Sequence, residues 1–323
     1  MKGRWVVLVV AAVAAAVLGL AFGAVRFSVP EVWRGLTDAT AGSATIIRDL
    51  RAPRVCLGFL VGGALAVTGA SLQALVRNPL ADPYLLGLSG GAGLGAVTAI
   101  ALGLGGPWAV PAAAFAGTLL AVALVYRLGL AGGRRVDTRV LLLAGVVVSA
   151  FAGALMTAII VLSPAEQLRD AFLWLLGGLG RASWPAVGVF AAYGVIPLGV
   201  LLASGRGLDL LALGEEPAHH LGADVEGLKR RVVAATALLT AAAVAVAGMI
   251  GFVGLIVPHL IRLAWGPLHR GLLPTAFVLG GVTLVLADVA ARAAHPPIEF
   301  PVGVVTALVG VPLFAALLRR SLA

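Results

Sequence analysis

Residues 51–95 read RAPRVCLGFLVGGALAVTGASLQALVRNPLADPYLLGLSGGAGLG, and how this stretch is read decides the fold. Val55 to Val76 is apolar and, at about 1.5 Å per residue, long enough to cross about 30 Å of hydrocarbon. Gly58, Gly62, Ala66 and Ala70 recur at every fourth residue with Gly69 beside them, so one helix face is nearly flat and another backbone can approach it closely. Such a helix belongs inside a bundle rather than against lipid. Gln73 sits near its far end, where a side-chain amide needs a partner and finds one more readily in protein than in lipid. Asn78-Pro79 and Asp82-Pro83 then interrupt the helix, because each proline lacks an N–H and disfavours helical geometry in the residue before it. The chain turns and restarts from Tyr84, with Gly87, Gly91 and Gly95 again four apart as a second close-packing face.

Composition sets the class independently. Of 323 residues, 61% are hydrophobic and 11% charged, and the mean hydropathy is +1.07. That is more apolar surface than a water-soluble fold of this length can hide. The sequence predicts an all-α polytopic membrane protein. Its formal charge of +9 is spread singly or in pairs at the ends of apolar runs, which suits loop anchoring at a membrane surface and not nucleic acid. Cys56 is the single cysteine and lies in a span, so no intrachain disulfide forms.

About ten spans follow from the apolar runs, as one transmembrane unit over residues 1–323. The first begins after Lys2 and Arg4, and its run of about 20 apolar residues exceeds a signal-peptide core, so it reads as an uncleaved helix. A polar connection from Arg26 to Arg54 is long enough for a short surface helix. After the central pair come Trp108–Tyr126, Val140–Leu162, Pro185–Ala203, Val232–Ile250, Gly251–Trp265, Leu272–Ala291 and Val302–Leu318. Phe172–Gly180 is too short to cross and reads as a helix at the surface, with Trp174 and Trp184 at interfacial depth. With both termini cytoplasmic, most basic residues fall inside, among them Arg127, Arg134, Arg135 and Lys229-Arg230-Arg231, as the positive-inside rule requires. Arg26, Arg34, Arg48, Arg51 and Arg54 share one outer loop and break that bias.

The stretch 204–231 is the longest polar one. Leu210, Leu211, Leu213, Leu221, Val225 and Leu228 keep an apolar stripe between charged positions, which predicts two short amphipathic helices on the cytoplasmic side. His219-His220 has no third ligand at metal-site spacing and reads as solvated. His259 reads as helix packing beside Pro258. Gly91, Gly93 and Gly95 follow no strand, so they form no dinucleotide fingerprint, and there is no GxxxxGK[ST] phosphate loop. The chain therefore does not hydrolyse ATP, and it assembles no catalytic constellation and no metal or cofactor site. Asp288 and Glu299 fall near span ends, leaving the spans without the mid-membrane acidic relay of an ion-coupled carrier. A self-contained secondary transporter is the competing reading, and it predicts transport by this chain alone.

The run RAPR, the segment LQALVRNPLADPYLLGLSGGAG, and the later GMIGFVGLIVPHLIRL and EFPVGVVTALVGVPLF resemble the FecCD-type membrane subunit from about Arg48 to the C-terminus. That family is the permease of bacterial ATP-binding-cassette (ABC) importers for iron-siderophores, haem and cobalamin, with a type II importer fold. The resemblance implies a homodimer in the bacterial inner membrane, two ABC ATPase subunits that use ATP and Mg, and an extracytoplasmic binding protein. It implies that Arg51, Arg54 and Arg292 dock the binding protein. On physical grounds alone, ordinary interface anchoring fits these arginines equally well. It further implies that Gly214, Glu215, Glu216, Ala218, Leu221 and Gly222 belong to a coupling segment against the ATPase, although Pro217 and His219-His220 depart from the family's usual run. The resemblance also places the translocation path and gate on Thr138, Arg139, Thr157 and Thr306. Family frequency alone puts iron-siderophores first among the cargoes.

Overall fold

The computed structural model describes residues 2–130 and 138–322; Arg134 and Arg135 lie outside these. Fourteen α-helices form among the described residues: α1 (Lys2–Ala21), α2 (Val29–Thr37), α3 (Ala52–Val76), α4 (Leu88–Ala101), α5 (Ala109–Gly129), α6 (Thr138–Leu162), α7 (Ala165–Leu175), α8 (Trp184–Ala203), α9 (Gly205–Ala212), α10 (Glu215–His220), α11 (Val225–Ala247), α12 (Val253–Trp265), α13 (His269–Ala293) and α14 (Val302–Leu322). Seven are long and apolar enough to span a membrane, and three shorter apolar stretches, on α4, α12 and α14, make up the remainder of the expected runs. At 14 residues, α4 rises only about 21 Å, less than a hydrocarbon core.

The hub is α3, the most buried of the spans. Gly62 faces the carbonyl of Gly280 on α13, and Gly280 faces the carbonyl of Gly62, so a methyl group on either would strike backbone. Phe59 and Phe277 flank this crossing edge to face, 5.9 Å between ring centres. Gly69 abuts the Gly254 carbonyl at the start of α12, and Gln73 Nε2 donates to the carbonyls of Ala81 and Gly254 at 3.2 Å each. The same device joins α4 to α5, where Gly91 and Gly117 face each other's carbonyls and Gly95 abuts that of Ala113. Close backbone approach of this kind lets dispersion, rather than the hydrophobic effect, hold helices together in lipid. Gly58 packs under Leu179 and Val285.

Several boundaries differ from the sequence expectation. Gly87 is not on a flat helix face: it is the left-handed residue (φ +79°) between the 3-10 turn Pro83–Leu86 and α4. The Arg26–Arg54 connection ends early, since a π-helical turn, Ile46–Arg51, runs directly into α3. The surface helix expected over Phe172–Gly180 lies instead at Ala165–Leu175. Pro164 precedes it, Glu166 occupies its first turn, and Gly177 at φ +67° ends it. The segment expected to reach Arg231 as loop and short helices stops at Asp224. The Asp224 side chain accepts from Gly227 N–H at 2.9 Å, capping α11 seven residues before the expected start of that span.

Candidate functional site

The functional side chains gather at opposite ends of the bundle. At one end, Arg51 points under the C-terminus of α1. Its Nη1 donates to the carbonyls of Leu20 (2.6 Å) and Ala21 (2.9 Å) and its Nη2 to that of Val25, while the guanidinium lies 4.8 Å from the centre of the Phe27 ring. Arg292 adds bonds to the carbonyls of Phe22 (2.9 Å) and Gly19 (3.1 Å). The last turn of a helix leaves carbonyls unpaired and carries the negative end of its dipole, so two cations suit it. Arg54 forks onto Asp288, with Nε and Nη2 at 3.0 and 2.9 Å from Oδ1, and reaches Glu299 Oε2 at 2.9 Å. Asp288 also meets Arg292 Nε at 3.0 Å, so one carboxylate is held between two guanidinium groups.

The three arginines that the resemblance assigns to docking have most of their donors engaged within the chain. Arg51 and Arg292 are buried, at 6% and 4% exposure, because their donors are taken up by α1 and Asp288. They form the floor of a pocket whose rim includes Leu50 and Glu299. Arg48 behaves likewise: it caps the end of α2 through the carbonyls of Gly35 (2.9 Å) and Leu36 (2.7 Å). At the start of α2, Glu31 accepts from the Ser28 hydroxyl (2.6 Å) and backbone N–H (2.7 Å). Those bonds hold its carboxyl below the ordinary value of 4.5.

At the other end, α9 and α10 form a short polar bracket. Gly214 (φ +123°) and Gly222 (φ +81°) take backbone conformations that a side chain would strain. Ala218 is buried, whereas Glu215, Glu216, Leu221 and Gly222 are exposed. Glu215 reaches the buried Lys229 of α11 at 2.6 Å, and Lys229 also meets Glu226 at 3.3 Å. Asp209 of α9 accepts from the His269 backbone N–H at 2.6 Å and lies 2.9 Å from its Nδ1. No spacing rule pointed to Asp209, whose partner is brought in by a different helix, whereas Lys229 pairs both within α11, three residues from Glu226, and with Glu215 of α10.

The residues expected along a path divide. Thr157 is exposed on α6, its hydroxyl bonded back to Gly153 at 2.9 Å, among exposed Leu143, Val147 and Phe151. Thr138 and Arg139 open α6, half-buried and exposed respectively. Thr306 is buried, with its hydroxyl on the Gly303 carbonyl at 3.0 Å, so in this conformation it lines no open surface.

Residues 9–320 match the FecCD transport family. The chain belongs to that family. Within it, the chain is 44% identical over 303 residues to the cobalamin import system permease protein BtuC of Halobacterium salinarum, covering 94% of this chain and 78% of that one. It is 40% identical over 309 residues to the hemin transport system permease protein HmuU of Yersinia pestis, covering 93% and 90%. A solved structure described as an inward-facing metal-chelate type ABC transporter superposes with a TM-score of 0.90 at 30% identity, over 99% of this chain and 100% of that one. PsaBC from Streptococcus pneumoniae, at 16% identity and a TM-score of 0.59, shares the fold. The FecCD chain described here is thus a membrane-spanning permease subunit of an ABC importer.

Proposed function

We propose that two copies of this chain form the pore of an importer for a bulky metal chelate, with cobalamin or haem ahead of an iron-siderophore. Two ABC ATPases and one extracytoplasmic binding protein complete it in the bacterial inner membrane. Both termini lie in the cytoplasm, so the arginine end faces outward and α9–α10 face the ATPases. The ion pairs described above all sit at the two ends of the bundle, and this is the observation that carries the reading. Energy then enters through partners that push on the ends rather than through a proton or sodium relay between them. Exposed Glu216 and Leu221 on the bracket form the contact for the ATPase. The binding protein meets the pocket rim at Glu299 and Leu50, over a floor that Arg51, Arg54 and Arg292 keep rigid. The path follows the apolar face of α6 past Thr157, from a gate near Thr138 and Arg139, and a lining with few polar groups lets a large ligand slide without tight binding.

The cargo ranking follows the cobalamin and haem relatives. Proteoliposomes holding this chain, its ATPase and its binding protein, offered cobalamin, haem and a ferric siderophore with each component omitted in turn, test it. Uptake of one ligand that needs all three components is the expected result. Transport by this chain alone, driven by an ion gradient, would replace the importer with a secondary carrier.

A further inference from the structure

Asp209 is the only acid of α9, and its carboxylate points not at the exposed side of the bracket but at the first turn of α13. Leu268, at the N-cap of α13, offers no side-chain bond. Asp209 therefore takes up, from a different helix, the first of the N–H groups that the start of α13 leaves free, one that an N-cap side chain at Leu268 would not reach because such side chains bond the second or third residue. The surroundings fix the joint. Leu208 and Leu211 are fully buried, and a methyl group on Gly205 would stand 3.1 Å from the Arg270 Cα, so the two backbones nearly touch. By contrast α10 is tied to α11 through Glu215 and Lys229. The two short helices of the bracket hang on different spans.

We propose that Asp209 is a positioning residue that fastens the ATPase-facing bracket to α13, making α9 and the α3–α13 pair one rigid body. This rests on reading the bracket as the ATPase contact. A push on the bracket is then delivered along α13, about 28 Å from His269 to Asp288 at 1.5 Å per residue, to Asp288 and Arg54 near the opposite end. The capping oxygen is what matters, and the charge is not.

Two variants of the complete reconstituted transporter separate this from a merely structural role. D209A removes the acceptor, whereas D209N keeps an oxygen for the His269 N–H. The readout is cargo moved per ATP hydrolysed by assembled complex, which does not change when a complex only becomes scarcer or less stable. D209A is expected to lower that ratio about fivefold or more, and D209N to hold it within about twofold, since asparagine and aspartate cap equally well. An unchanged ratio in D209A, whatever its melting temperature, overturns the proposal. If D209A does not assemble, cysteines introduced by R206C and R270C in a C56S background and joined by a short bifunctional maleimide decide it. Retained transport after cross-linking supports the rigid joint, and loss of transport on cross-linking alone shows that α9 slides on α13 and overturns it. Absence of ATP-dependent uptake in the wild-type assembly would instead defeat the importer reading itself.

Discussion

The two ends of α13 are built on opposite terms. At its C-terminal end Asp288 is almost enclosed between Arg54 and Arg292, and Arg292, with Arg51, takes up the free carbonyls at the end of α1. At its N-terminal end His269 meets a partner from a helix of eight residues, and neighbouring α10 holds on through an exposed glutamate. Cations sunk among carbonyls and a carboxylate make a clamp that opens only at high cost. Of the short helices at the N-terminal end, α9 is fixed to α13 through Asp209, while α10 is held to α11 by Glu215, an exposed acid whose pair with Lys229 contributes less. A transporter driven from one side needs both: an end that yields to its motor and an end that keeps its shape while a partner docks.

The largest expected effect is at the clamp. D288A strips the carboxylate from two buried guanidinium groups and is expected to cost about 3–5 kcal/mol of stability, read by thermal unfolding in detergent. A loss under about 1 kcal/mol would mean that water reaches the cluster and that the contrast between the ends is false. At the bracket, E215A leaves Lys229 with Glu226 and is expected to cost about 1 kcal/mol or less while lowering cargo moved per ATP. Equal losses of stability at the two sites would erase the distinction. The smallest effect concerns α2. The folded-state pKa of Glu31 is depressed, so its contribution is fully present above the unfolded value near 4.5 and fades as pH falls through the lower folded value. Hydrogen exchange in α2 should quicken under such acid while the clamp amides stay protected.

Much of this was legible in the sequence. Apolar run lengths gave the spans, and the four-residue glycine spacing gave the faces on which α3 meets α13 and α4 meets α5. Paired prolines gave the turn between them. Asp224 caps α11, but Glu226, Lys229, Arg230 and Arg231 after it break the apolar run and hid that start. Ser163-Pro164-Ala165-Glu166 is a helix-start pattern of the same kind. The arginines were the harder case. A charge near a span end reads as a surface anchor, and the partners of Arg54 and Arg292 are 234 and 270 positions away. The available signal was the Asp288–Arg292 spacing of four, which places both on one helix face. The cluster of arginines that set this loop apart in the charge count consists of helix caps and an ion-pair partner, Arg48, Arg51 and Arg54, rather than free surface charges.

The capping of α1 also sets an order of events during synthesis. Arg51 follows Leu20 by 31 residues and can secure part of the first helix while the nascent chain is short. The carbonyls of Gly19 and Phe22 wait for Arg292, 273 and 270 residues downstream, and contacts so distant along the chain close late. Helix α1 is therefore made long before its last capping bonds can close. A chain stalled before α13 emerges leaves the Gly19 and Phe22 carbonyls without these partners for as long as it waits.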